Sequence, residues 1–90
     1  MSLFKRQRKQ LDLAVHYKDT FATESGRRVL SDLIERNGVI STNFDPDPIE
    51  HAFKAGKREA VLRILTLLNI DFDEAEKHLR EARDIDKQYE

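Results

Sequence analysis

Cysteine is absent from the 90 residues, and only three glycines and two prolines occur. Without cysteine there is no disulfide, no thiolate nucleophile and no thiolate-held zinc, a usage that fits a reducing compartment. A phosphate-binding loop needs several glycines, so that successive backbone N–H groups approach the oxygens, and then Lys-Ser/Thr; three scattered glycines cannot supply it. Long apolar runs are missing too. The longest, Ala60 to Leu68, is broken by Arg63 and Thr66 and falls short of the roughly 20 residues that cross a bilayer. The opening MSLFKRQRKQ is basic but leads into no run of small and apolar residues, so it does not read as a secretory signal. The expectation is a soluble chain without a membrane partner.

Charged residues make up 37% and hydrophobic ones 39%, a balance suited to amphipathic helices. A chain of this size buries only roughly 60 to 65% of its unfolded surface, so residues 1–90 are expected to form one domain without a large catalytic cleft. The periodicity predicts four helices. The first, about Leu3 to Phe21, puts Leu3, Leu11, Ala14, Tyr17 and Phe21 on one arc; residues 1–10 are expected to be a frayed basic end. The second, about Glu24 to Asn37, has Thr23 as N-cap, an apolar stripe of Val29, Leu30, Leu33 and Ile34, and Gly38 as the left-handed stop on which Val39 or Ile40 folds back.

Residues 38–47 read as a connecting loop. Asp47 is then an N-cap and Pro48 the first residue of the third and longest helix, which runs to about Asn69. Its early stripe is Ile49, Ala52, Phe53, Gly56 and Ala60. From Val61 to Leu68 it is apolar nearly all round, so it must be covered by the other helices or by a second molecule. Asp71 and Glu74 form a capping box for the fourth helix, with Phe72, Ala75, Leu79 and Ala82 facing inward. The fold class is therefore all-α: a small bundle of four helices with a long central third helix.

Charge is unevenly placed: Lys5, Arg6, Arg8, Lys9 and Lys18 face the single Asp12 near one end, whereas the last twenty residues are predominantly acidic. This polarity reads either as solvated helix faces or as head-to-tail contact with a partner or another copy. Lys5, Arg6, Arg8 and Lys9 form the best electrostatic patch. It is either a solvated tail or a contact for nucleic acid or another acidic partner through phosphate attraction. Arg27 sits at the edge of the second helix's stripe, while Arg28 lies outside it, four residues from Glu24 and Asp32. Arg63, the one charge in Val61 to Leu68, either packs its stem and snorkels or marks a polar contact inside a partner interface. Gly26, in a first helical turn, costs little. Gly56, inside a helix, costs roughly 1 kcal/mol relative to alanine, so close approach by a neighbouring helix is expected there.

Catalytic chemistry is not expected. His16, His51 and His78 are far apart and none has a second histidine at the spacing of HExxH, and no serine or threonine has a base in a recognisable context. Asn43, Asp45, Asp47 and Glu50 alternate like a calcium loop but lack its glycine and length, so they read as capping and turn residues. No catalytic residue, metal, cofactor or small-molecule substrate is assigned.

Two stretches carry a further signal. YKDTFATESGRRVLSDL, then a loop, then AFKAGKREAVLRIL, resembles a family of small phage domains first catalogued in a Bordetella phage. The residues that carry the resemblance are Phe21, Thr23, Gly26, Arg27, Val29, Leu30, Leu33, Phe53, Gly56, Arg58 and Val61, between Tyr17 and about Leu65. Arg28, Lys57 and the acidic fourth helix fall outside the pattern. The resemblance implies a product of tailed-phage or prophage genes lying among those for the head and virion, and it implies no reaction. Two roles follow as expectations. One is a virion-associated or head and neck assembly protein whose partners are other phage structural proteins or further copies of itself, in the virion or the host cytoplasm. The other is a DNA-associated accessory or regulatory protein that binds through the basic N-terminal segment.

Overall fold

Short-range capping chemistry sets the helix boundaries in the computed structural model, which describes residues 3–41 and 44–88, with side chains from Arg6 onward and without that of Asp86. The helices are α1 (Leu3–Ala22), α2 (Glu24–Arg36), α3 (Pro48–Leu67) and α4 (Phe72–Gln88). Among the described residues there is no strand, and the chain is an all-α bundle. Thr23 caps α2: its Oγ1 accepts from Gly26 N–H at 2.9 Å. Asp47 caps α3 by accepting from Ile49 and Glu50 N–H at 2.9 and 3.4 Å, with Pro48 in the first helical position. Asp71 Oδ1 accepts from Glu74 N–H at 2.9 Å at the start of α4.

Two helices stop by the same device. After α2, Gly38 adopts φ 65°, and the N–H groups of Val39 and Gly38 donate to the carbonyls of Ile34 and Glu35. After α3, Asn69 adopts φ 55°, and Ile70 and Asn69 N–H donate to Leu65 and Thr66. Both are Schellman caps, in which a left-handed residue lets the following aliphatic side chain fold back over the last turn. Val39 is accordingly buried in the core and Ile70 packs against it.

The core is Leu30, Ile34, Val39, Val61, Leu65 and Ala75, with Phe21, Leu33, Leu62, Ile64 and Leu68 half-buried around it. α2 packs against both α1 and α4, and α1 also touches α3. The third helix contributes to the core through its C-terminal half, Val61 and Leu65. Its early stripe stays outside, with Ile49 80% and Phe53 64% exposed. Leu11 of α1 is likewise exposed rather than inward. Length explains both: α1 and α3 at 20 residues extend to about 30 Å, whereas the 13 residues of α2 reach only about 20 Å. Their overhanging stretches, residues 6–13 of α1 and 48–53 of α3 among the described side chains, are exposed throughout.

The two glycine expectations are reversed. A Cβ built on Gly56 would meet nothing within 4 Å, so no neighbouring helix approaches there. One built on Gly26 would collide with the Thr20 carbonyl and lie 2.7 Å from the Phe21 Cα. The sharp joint between α1 and α2, a single residue long, folds the end of α1 back onto the first turn of α2. Gly26 is buried at that crossing. The α2 stripe is also turned from its expected position: Val29 faces solvent and Ser31 is buried instead.

Candidate interaction surfaces

The basic group near the start of the chain stands on the overhanging half of α1. Arg6, Arg8 and Lys9 are all exposed; the Lys5 side chain lies outside the described residues. Arg27 is exposed in the first turn of α2, about 20 Å along α1 from Lys9, and Arg63 is exposed on α3. The candidate cations thus do not converge on one phosphate cradle. Arg27 lines an open groove of about 360 Å³ between α2 and α4, together with Arg28, Ser31 and His78, but Glu24 and Glu81 line it too. With acids interleaved among the bases, the groove lacks the single-signed field that concentrates an anion.

Ser31 was not legible as special, yet it joins the two walls of that groove. Its buried hydroxyl lies 3.0 Å from the Arg27 carbonyl and 3.2 Å from the His78 carbonyl, so its one proton serves either helix. The only signal in the sequence was a small polar residue between Leu30 and Ile34. Outside the groove, Arg83 of α4 reaches Glu35 of α2 at 3.5 Å, and Asp32 holds Arg36 at 3.1 Å. All four side chains are mostly exposed, so each pair contributes little.

The loop before α3 is a compact clamp. Lys54 Nζ lies 2.8 Å from Asp45 Oδ2, and Asp45 Oδ1 accepts from Asp47 N–H at 2.9 Å. The Lys54 hydrogen bond, then the Asp47 N–H, hold the Asp45 carboxyl below its ordinary value of 3.8. The same contact holds the Lys54 ammonium above 10.5. Asp45 N–H donates to His51 Nδ1 at 3.4 Å, and the Phe44 ring leans on the His51 ring at 5.8 Å. Asp45 and Asp47 are therefore occupied by capping and turn contacts, and Asn43 lies outside the described residues. Among the described residues no three His, Asp or Glu side chains cluster as metal ligands, and no helix is long and apolar enough to cross a membrane.

The residues that carried the resemblance divide into two sets. Thr23, Gly26, Leu30, Leu33, Val61 and Phe21 build the α1–α2 joint and the core. Arg58 belongs with them: its Nη2 donates to the Val39 carbonyl at 3.3 Å, tying α3 to the turn that ends α2. Arg27, Val29, Phe53 and Gly56 face outward, where the fold has no use for them. Lys57 sits over the Phe53 ring with its Nζ 5.6 Å from the centroid, which covers only part of that face.

No curated protein and no solved structure matches the chain. A family model described as Bbp19-like phage protein matches residues 17–81, which is 65 of the 90. The match begins at Tyr17, as the resemblance did, but runs on to Glu81, so residues 72–81 of the acidic fourth helix fall within the matched region and the rest of that helix lies beyond it. Over the joint, the core and both Schellman caps, the chain belongs to the Bbp19-like phage protein family.

Proposed function

We propose that the chain acts through protein–protein contact, as a component of the phage particle or of its head or neck assembly, without catalysis. It would be found in the virion or in the host cytoplasm. The observation that supports this reading is surface in excess of what the fold needs. The chain measures 50 × 37 × 18 Å with a radius of gyration of 15.4 Å, against about 12 Å for a compact domain of its length. It exposes 7260 Å², against about 5,400 Å² for a compact monomer of 10.5 kDa. Leu11, Val15, Val29, Phe44, Ile49, Phe53 and Phe72 are all large, apolar and exposed. Thin, flat molecules with apolar faces bury them in assemblies.

A second reading has its own support: Arg6, Arg8 and Lys9 are solvent-facing on the overhanging half of α1, where a DNA backbone has free access. Two experiments separate the readings. The interaction role predicts that the protein bands with particles in a density gradient and stays bound in high salt. The DNA role predicts binding to duplexes of random sequence that weakens steeply with salt and is lost when Arg6, Arg8 and Lys9 are all changed to Gln.

A further inference from the structure

α3 carries two faces. Val61 and Leu65 turn toward the core, and Arg58 and Lys54 on the same side are held by Val39 and Asp45. Ile49, Ala52, Phe53, Gly56 and Ala60 follow at spacings of three and four residues on a face more than 100° around the helix, and every one is exposed.

We propose that this face is covered by the same face of a second copy, with the two α3 helices antiparallel about a twofold axis between Ala52 and Phe53. The proposal rests on the interaction role above and gives it a first partner. Three observations single out a second copy. The chain exposes nearly 1,900 Å² more than a compact monomer (7260 less about 5,400), whereas a standard interface takes about 800 Å² from each partner. The apolar pattern is self-complementary. With the axis at that point, Ile49 of one copy lies against Gly56 of the other, where open space surrounds the missing Cβ, and the two Phe53 rings meet near the axis. The charges are self-complementary as well. Glu50 and Lys57 are exposed on the same flank, two turns apart, so the antiparallel arrangement sets Glu50 of each copy beside Lys57 of the other.

Sedimentation equilibrium of the purified full chain tests this, over protein concentrations from roughly 1 to 100 μM, which lie at or above the dissociation constants of standard-size interfaces, from about μM down to pM. The expected species has twice the 10.5 kDa chain mass. Phe53→Asp should leave the helical circular dichroism unchanged, return the chain to monomer and remove any dependence of its melting on protein concentration. Glu50→Lys and Lys57→Glu should each weaken the dimer about tenfold, because each disturbs two symmetric pairs, and the double variant should recover most of that loss. A wild-type chain that stays monomeric throughout the range overturns the pairing, as does a Phe53→Asp variant that still dimerises or a double variant weaker than both singles. A monomer in solution that nevertheless bands with particles would sink this pairing and leave the interaction role standing.

Discussion

Replacing Gly26 with alanine tests the α1–α2 joint with one methyl group. Its position demands no unusual backbone angle, so the new Cβ itself is the whole perturbation. That atom would overlap the Thr20 carbonyl and sit 2.7 Å from the Phe21 Cα. Both are backbone atoms on a different helix, so no side chain can swing aside. α1 must lift off the first turn of α2, loosening Phe21 from the core and the Thr23 cap with it. Overpacking of this kind costs about 1–3 kcal/mol, against which the helix preference of alanine offers little in a first turn. For a domain of this size that lowers the melting temperature by about 5–20 °C. Gly56→Ala is the internal control. Its Cβ meets nothing, so the gain in helix propensity of up to about 1 kcal/mol should raise stability. Thermal melts followed by circular dichroism, at the lowest usable concentration so that self-association does not enter, should move in opposite directions. A Gly26→Ala protein as stable as wild type would refute the close-crossing account.

Leu65→Asp puts an uncompensated carboxylate among Val61, Leu30 and Ala75 and should unfold the domain, read as loss of the cooperative melt. Gly38→Ala forces a Cβ into the left-handed conformation at φ 65° and should cost about 1–2 kcal/mol in a urea titration. Arg58→Met keeps the aliphatic stem but leaves the Val39 carbonyl without its donor; a loss of about 1–2 kcal/mol is expected in the same titration. The Asp45–Lys54 contact makes stability depend on pH in two windows. Because Asp45 is lowered from 3.8, its contribution is present above that pH and disappears as pH falls below it. Because Lys54 is raised from 10.5, its contribution is present below that pH and disappears as pH rises past it. Asp45→Asn should flatten both limbs of the pH–stability curve relative to wild type.

Caps and stops were legible because they are decided within four residues. Thr23, Asp47, Asp71 and Gly38 each present the side chain or backbone freedom that a helix end requires, and each sits where the spacing put it. Which stretch of an amphipathic helix is covered was not legible, because coverage depends on the length and crossing of its neighbours. Leu11, Ile49 and Phe53 belong to good stripes yet lie on overhanging halves, while Ser31 enters the core where α4 crosses α2. Gly26 and Gly56 exchanged roles for the same reason: close approach was decided by a one-residue joint between helices, not by position within a helix. Among the candidate contacts, the charges of Arg6, Arg8, Lys9, Arg27 and Arg63 were plain in the sequence. Their distribution over three separate helices was a matter of packing geometry.

The central claim is that this Bbp19-like phage protein works by occupying a place in a protein assembly. Quantitative mass spectrometry of gradient-purified phage particles, produced from the host that carries the gene, tests it most directly. The account predicts the chain in the particle at a fixed number of copies relative to the major structural proteins, unchanged by a high-salt wash. A chain abundant in producing cells but absent both from finished particles and from the assembly intermediates purified beside them would contradict it.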